Sequence, residues 1–341
     1  MASTRRTFLK GAGMVMAAGA IGERAAAADA PKGGTGGDMP RGLTTCTLLG
    51  SDGAVTLGVR TKNGILDVRA AAKARKVAAP LTPEDLIRGK DAAGLKTLVA
   101  DAESGKEKKY LVKEAEARFG PCLTAPEKII MLGFNYKKHI AEVHVPTPTS
   151  PVFFNKFNNA LLGHGGTLRL PTRVARKFDY EVELVVVMGK TASNVEPADA
   201  LSHVYGYATG NDFSARDLQF KTSQFLLGKT SDGFAPLGPW LVSADLVGDP
   251  QALHLECRVN GEVRQSSNTS DMLFSCAEIV SYASKHFTLQ PGDIFFTGTP
   301  EGVILGKPEA QQVWLKAGDK ISTEVEKLGE LRFDLADGAS A

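Results

Sequence analysis

The chain has 341 residues, 43% of them apolar and 23% charged. These are ordinary globular proportions and argue against a mainly disordered chain, a collagen or an integral membrane protein. Forty Lys and Arg against 38 Asp and Glu give a formal charge of +2, so no broad electrostatic footprint for nucleic acid or an anionic membrane is expected. Four cysteines (Cys46, Cys122, Cys257, Cys276) show no CxxC spacing and are too few for a disulfide scaffold.

Residues 1–30 read as an address. Arg5-Arg6 is followed by Phe8-Leu9-Lys10, a short apolar run from Gly11 to Gly22, and small-x-small sites between Ala25 and Ala30. This resembles a bacterial twin-arginine export signal. It implies the twin-arginine translocase as a transient partner, removal of the signal peptide and a periplasmic location. The apolar run is too short to serve as a permanent membrane anchor. Residues 31–42 are rich in Gly and Pro and read as a linker.

Residues 43–120 read as a small N-terminal α+β domain. Ala54–Val59 and Gly64–Val68 have the texture of two short strands around a turn. Thr82-Pro83 marks a helix start, with Thr82 as N-cap and Pro83 at N1. Leu95, Leu98 and Val99 continue a helical pattern. Residues 125–335 form a second domain in which short apolar strands alternate with turn residues. Asn260-Gly261 marks a tight hairpin. One clear helix is predicted from about Met272 to His286, with Asp271 as its N-cap. Many short strands with few helices predict an α+β, β-rich fold.

Three clusters carry chemistry. In Asp179-Tyr-Glu181-Val-Glu183-Leu, alternate residues of a strand share one face, so three acids point the same way before an apolar run. Like charges this close repel, and burying them is costly. A divalent cation resolves the conflict, and hard oxygen ligands favour Mg²⁺, Mn²⁺ or Ca²⁺. A solvated acidic edge strand is the other reading. Asp212, in Gly210-Asn-Asp-Phe-Ser-Ala-Arg216-Asp-Leu-Gln219, ends a strand where it can serve as a third ligand or as a helix cap. Arg216 and Gln219 follow on one side of a helical turn. His139 and Glu142 are also three apart. A carboxylate on one ring nitrogen fixes the histidine tautomer and lets it handle a proton, although such a pair is also a common surface contact.

Together these clusters resemble the fumarylacetoacetate hydrolase family. The likeness rests on Gly133-Phe-Asn-Tyr-x-x-His139-x-x-Glu142, on residues 179–184 and 210–219, on Gly228-Lys229-Thr-Ser-Asp-Gly, and on Gly292-Asp-Ile-x-x-Thr-Gly-Thr299-Pro-Glu-Gly-Val. It implies a mixed β-roll or β-sandwich, a homodimer and one Mg²⁺ or Mn²⁺ per site. Glu181, Glu183 and Asp212 match the metal ligands, and Asp179 matches an acid behind them. His139, Glu142 and Lys229 match catalytic positions. Lys156, Arg216, Gln219 and Thr299 match substrate contacts, with Phe157 where the family usually has proline after Lys156. The reaction implied first is hydrolysis of a carbon–carbon bond in a 1,3-dioxo or 2-oxo acid, such as an acylpyruvate, through a metal-stabilised enolate. Decarboxylation of a 2-oxo acid, isomerisation or hydration of a 2-hydroxydienoate, and metal-dependent solute binding without catalysis are the alternatives.

Overall fold

Two neighbouring strands, Val182–Met188 and Val204–Asn211, are buried along their whole length in the computed structural model, which describes residues 39–51, 53–106 and 108–338. The run Val-Glu-Leu-Val-Val-Val-Met is β-branched and almost continuously apolar, as suits a strand covered on both faces. The expected leader, 1–30, and most of the expected linker, 31–42, lie outside the described residues.

Among the described residues these strands belong to an 11-stranded sheet. To one side lie Ala235–Ser243, then Thr44–Leu49, Val55–Thr61, Gly64–Asp67 and Leu111–Val112; to the other lie Ile294–Phe296, Ile129–Gly133 and Val152–Lys156; the eleventh, Leu161–Leu162, pairs parallel with Ala235–Ser243. Thr44–Leu49 pairs antiparallel with Ala235–Ser243, so strands of the 43–120 segment extend the sheet that carries residues 182–211. Ile294–Phe296 runs parallel to Ile129–Gly133. A five-stranded sheet, ordered Glu262–Asn268, His254–Val259, Lys320–Val325, Gly329–Asp337 and Gly166–Leu170, packs through its middle strands on Val204–Asn211 and Ala235–Ser243. Between the layers Phe213 meets Phe234 edge-on at 5.0 Å and Phe333 at 6.2 Å. The fold is therefore the sheet-rich α+β type expected.

Local signals hold at several points. Thr82 Oγ1 accepts from Asp85 N at 3.1 Å, with Pro83 opening the helix. Asn260 and Gly261 have φ of 53° and 84° in a tight turn between His254–Val259 and Glu262–Asn268. The helix predicted over Met272–His286 is shorter, Cys276–Ser284, and Ser275 rather than Asp271 caps it, in a capping box with Glu278. The reason is competition for Met272–Phe274 and Asp271. Leu273 N and Phe274 N donate to the Asn135 backbone and side-chain oxygens at 2.7 and 2.9 Å, and Asp271 Oδ2 accepts from Lys138 N at 3.0 Å. The stretch thus anchors the start of the Lys137–Glu142 helix. Among the described residues no helix is long and apolar enough to cross a membrane. Cys46, Cys122, Cys257 and Cys276 are all buried free thiols.

Candidate metal and proton-transfer site

The register of the two central strands builds the acidic cluster. Val182 faces Asn211 and Glu183 faces Gly210, and Asp212 N donates to Glu181 O at 2.8 Å just beyond the pair. The two strand ends therefore bring Glu181, Glu183 and Asp212 together, with one carboxylate oxygen from each lying within 4.8 Å of the others. All three are buried. Asp179 does not continue this strand. It lies on the short strand Phe178–Asp179 paired with Ser214–Ala215. Its carboxylate collects Tyr180 N, Ile304 N, Leu305 N and Arg216 Nε at 2.9–3.0 Å.

Three buried cations surround the acids. Lys229 Nζ lies 2.7 Å from Glu181 Oε2 and 2.8 Å from Asp212 Oδ2, and 5.3 Å from the centre of the Phe154 ring. Arg216 reaches Glu181 Oε1 at 2.6 Å, Asp179 Oδ2 at 2.9 Å and Gln219 Oε1 at 2.9 Å. Lys156 Nζ lies 2.6 Å from Asp212 Oδ1 and donates to the Phe213 and Phe234 carbonyls. Glu183 has no such cation. It accepts only from Gly298 N, at 2.7 Å, among the hydrogen bonds of the described residues.

The titration tendencies follow from these partners. Burial pushes the Glu183 carboxyl well above the carboxylate range, and the Asp212 and Glu181 charges add to it. Burial also works against Glu181, but Arg216 and Lys229 overcome it and hold that carboxyl down at about 2. Asp212 is raised by burial, with Lys156 and Lys229 opposing. Burial lowers Lys156 to about 8 in spite of Asp212. A divalent cation fits this donor set. It would lie among three convergent hard oxygens and supply the charge that Glu183 lacks.

His139 approaches the cluster from the Lys137–Glu142 helix. Its Nδ1 lies 3.2 Å from Glu142 Oε2, while Glu142 Oε1 accepts from Gly302 N at 2.9 Å. His139, Glu181, Asp212, Arg216, Gln219, Lys229 and Thr299 line a cavity of about 30 Å³, together with Phe134, Phe154, Phe220 and Phe225. Lys156, Glu142, Glu183 and Asp179 are not among the residues that line it. The Thr299 hydroxyl donates to Val182 O at 3.0 Å and accepts from Gln265 Nε2 at 2.9 Å.

Sequence reasoning missed two parts of this arrangement. Gln265, on the hairpin of the five-stranded sheet, also accepts from Val182 N at 3.0 Å and so ties the strand before Glu183 to Thr299. Nothing in the local sequence marks it. Residues 302–306 hold Glu142, and Gly306 lies so close that an added Cβ would fall 2.2 Å from Glu142 Cδ. The glycines were visible in the sequence, but their partner lies 160 residues away.

Residues 128–336 match the family described as fumarylacetoacetate hydrolase, C-terminal. Among curated proteins, the mitochondrial oxaloacetate tautomerase of Xenopus laevis is 46% identical over 212 residues, 61% of this chain and 65% of that protein, so the match spans just under two thirds of the relative's length. Among solved structures, a fumarylacetoacetate hydrolase from Exiguobacterium antarcticum is 30% identical and covers 87% of this chain and 100% of its own, with a TM-score of 0.70. The fumarylpyruvate hydrolase of Pseudomonas aeruginosa, in complex with Mn²⁺ and pyruvate, is 33% identical over 65% of this chain and 92% of its own, with a TM-score of 0.57. The periplasmic location expected from the leader is corrected by these comparisons, because the similar curated protein is mitochondrial. A basic, acid-poor N-terminus is a property that organelle transit peptides share with export signals, so Arg5-Arg6 alone does not select a compartment. The chain belongs to the fumarylacetoacetate hydrolase family.

Proposed function

We propose that the protein is a metal-dependent enzyme that moves a proton at the carbon beside the keto group of a 2-oxo acid, with keto–enol tautomerisation of oxaloacetate as its reaction. One observation carries this reading: His139, with Nδ1 committed to Glu142, lines the same small cavity as Glu181 and Asp212. The relative named as an oxaloacetate tautomerase supports it.

Glu181, Glu183 and Asp212 would hold Mg²⁺ or Mn²⁺. When bound, the ion would supply positive charge against the negative charge that develops on the substrate during proton transfer. The chain's own groups do the rest. Glu142 accepts the Nδ1 proton of His139 and leaves Nε2 as the base. Nε2 takes the proton from the substrate carbon and, as the imidazolium, gives it to the former keto oxygen to form the enol; in the reverse direction the proton leaves the enol oxygen and is delivered to the carbon, so one group serves both directions. Arg216 and Lys229 place positive charge at the cavity wall, where they orient the substrate carboxylate. Gln219 and Thr299 add polar contacts. The aromatic walls keep bulk water from the carbanionic carbon.

Hydrolysis of an acylpyruvate is the second reading. It is favoured by the likeness to the fumarylpyruvate hydrolase and by the same pair, since a base that takes a carbon-bound proton can also take one from water. Mn²⁺-loaded protein given the enol of oxaloacetate, followed by ultraviolet loss of the enol and by product mass, separates the two. The expected result is faster enol loss at unchanged mass, abolished by EDTA. Metal-dependent cleavage of acylpyruvates to pyruvate and an acid, with no effect on oxaloacetate enol, would replace the tautomerase with the hydrolase.

A further inference from the structure

The cavity at the acidic cluster measures about 30 Å³. Sites for small molecules commonly offer about 300–1,000 Å³, so a wall has to move before a 2-oxo acid enters. Most of that wall is firmly held. Phe154 lies in the strand Val152–Lys156, and Phe134 directly follows Ile129–Gly133, the strand paired with it. The next residue, Asn135, commits its side chain to Thr297 O and to both the N and the O of Phe274. Leu305 N donates to Asp179.

Residues 220–227 are the exception. They lead from the helical turn Arg216–Gln219 into the turn Leu226–Lys229. Among the described residues their hydrogen bonds reach no further than Leu218 on one side and Thr230 on the other. Residues 221–224 are all exposed. The two ends of the segment meet, since a Cβ on Gly228 would fall 2.4 Å from Gln219 N. A surface loop closed at its base can swing as a unit. Lys229 stays behind in such a motion, because Glu181 and Asp212 hold its ammonium group. What holds the loop down is Phe225. Its ring meets Phe154 at 5.6 Å, Phe220 at 6.0 Å and Phe134 at 6.4 Å, each edge-on, an arrangement aromatic pairs favour. Phe134 extends these contacts to the base. Its ring is tilted only 16° from that of His139, with centres 6.5 Å apart. Its φ is 55°, a left-handed conformation that a bulky residue adopts only where its surroundings impose it.

We propose that residues 220–227 are the gate of the site and that Phe225 is its latch and a positioning residue for His139. The Phe225 ring leaves Phe134 and Phe154 to admit the substrate. Once seated again, it fixes Phe134 and, through that ring, the imidazole of His139. The helix Lys137–Glu142 is not the moving part, because Asp271 ties its first turn and Gly302 N ties Glu142. The inference rests on the reading of the cavity as the ligand site, whichever 2-oxo acid reaction follows there.

Hydrogen exchange of the Mn²⁺-loaded full chain, with and without oxalate, is the first test and needs no variant. Amides of 221–227 should exchange fast in the free protein and slow by about tenfold or more with oxalate, as for a low-stability element that a ligand closes. Those of 137–142 should change less. Ligand protection confined to 137–142 would make the helix the gate and overturn the inference. Stopped-flow binding of oxalate then tests the latch. Phe225→Ala should speed both entry and exit by about tenfold or more with metal content unchanged, and Phe225→Tyr should restore the parent rates. Leu227→Ala, at an exposed position of the same segment, should alter neither rate. Parent rates in Phe225→Ala would overturn the latch. The same variant should lower kcat by about tenfold, as for a small misplacement at a reacting centre; full kcat would overturn the hold on His139. Oxalate that binds without protecting 221–227 sinks the gate and leaves the site standing. Failure of oxalate to bind the metal-loaded protein overturns the reading of the cavity and this inference with it.

Discussion

Glu181 and Asp212 of the acidic cluster and His139 of the His139–Glu142 pair line one cavity, but the cluster and the pair are held there by different means. Glu183 belongs to a strand whose seven residues are all buried, and Asp212 follows another whose eight are all buried, so strand register fixes the carboxylates. His139 and Glu142 ride on a six-residue helix, held by Asp271 at Lys138 N and by Gly302 N at Glu142. The first region is placed by the core and the second by a few polar contacts across loops. Damage to the first should therefore cost metal and stability together. Damage to the second should cost turnover alone.

The largest expected effect is in the core-built half. Glu181→Ala or Asp212→Ala should lose the metal by elemental analysis and lower stability by about 3–5 kcal/mol, because each leaves buried cations without their partner. Full metal occupancy in either variant would break the assignment. Next come His139→Gln and Glu142→Gln, which should lower kcat by about 10²–10⁴-fold with metal content and Tm near the parent values. A variant that kept its kcat would remove that residue from the proton path.

Gly306→Ala sharpens the comparison more gently. Its added methyl would fall on the Glu142 carboxylate, with Oε2 at 2.6 Å. Expected is a loss of about tenfold or more in kcat, as for small misplacements at a reacting centre, with metal content and KM little changed. An unchanged kcat would show that Glu142 does not depend on this contact. The smallest effect is a matter of protons. Burial pushes Glu183 up, so at low pH the metal-free carboxyl holds a proton that the cation must displace. Metal affinity should rise with pH through that raised value and level off above it, with proton release visible as a buffer-dependent heat. Pronounced weakening of metal binding as pH rises would contradict the sign.

Much of the carboxylate half was legible in the sequence, because alternation along Glu181-Val-Glu183 and the end of a strand at Asp212 are local properties. The same alternation misplaced Asp179, since the strand breaks between Asp179 and Val182 and sends that carboxylate to Arg216 and residues 304–305. His139 and Glu142 were legible as a pair because a helix brings residues three apart together. Their anchors were not. Asp271 looked like a cap for the helix that follows it, yet it serves Lys138, 133 residues earlier in the chain. Gln265, Gly302 and Gly306 act through partners that only the fold brings near.

Surface loops usually absorb insertions and deletions. Residues 302–306 are tied at two ends of a short span: Gly302 N holds Glu142, and Ile304 N and Leu305 N hold Asp179, which in turn holds Arg216. One residue added between Gly302 and Ile304 would leave one of those carboxylates without its donor. The length of this loop is therefore as constrained as a core strand's, and a laboratory library that varies loop lengths to alter substrate choice should keep this one fixed and vary residues 143–150 instead.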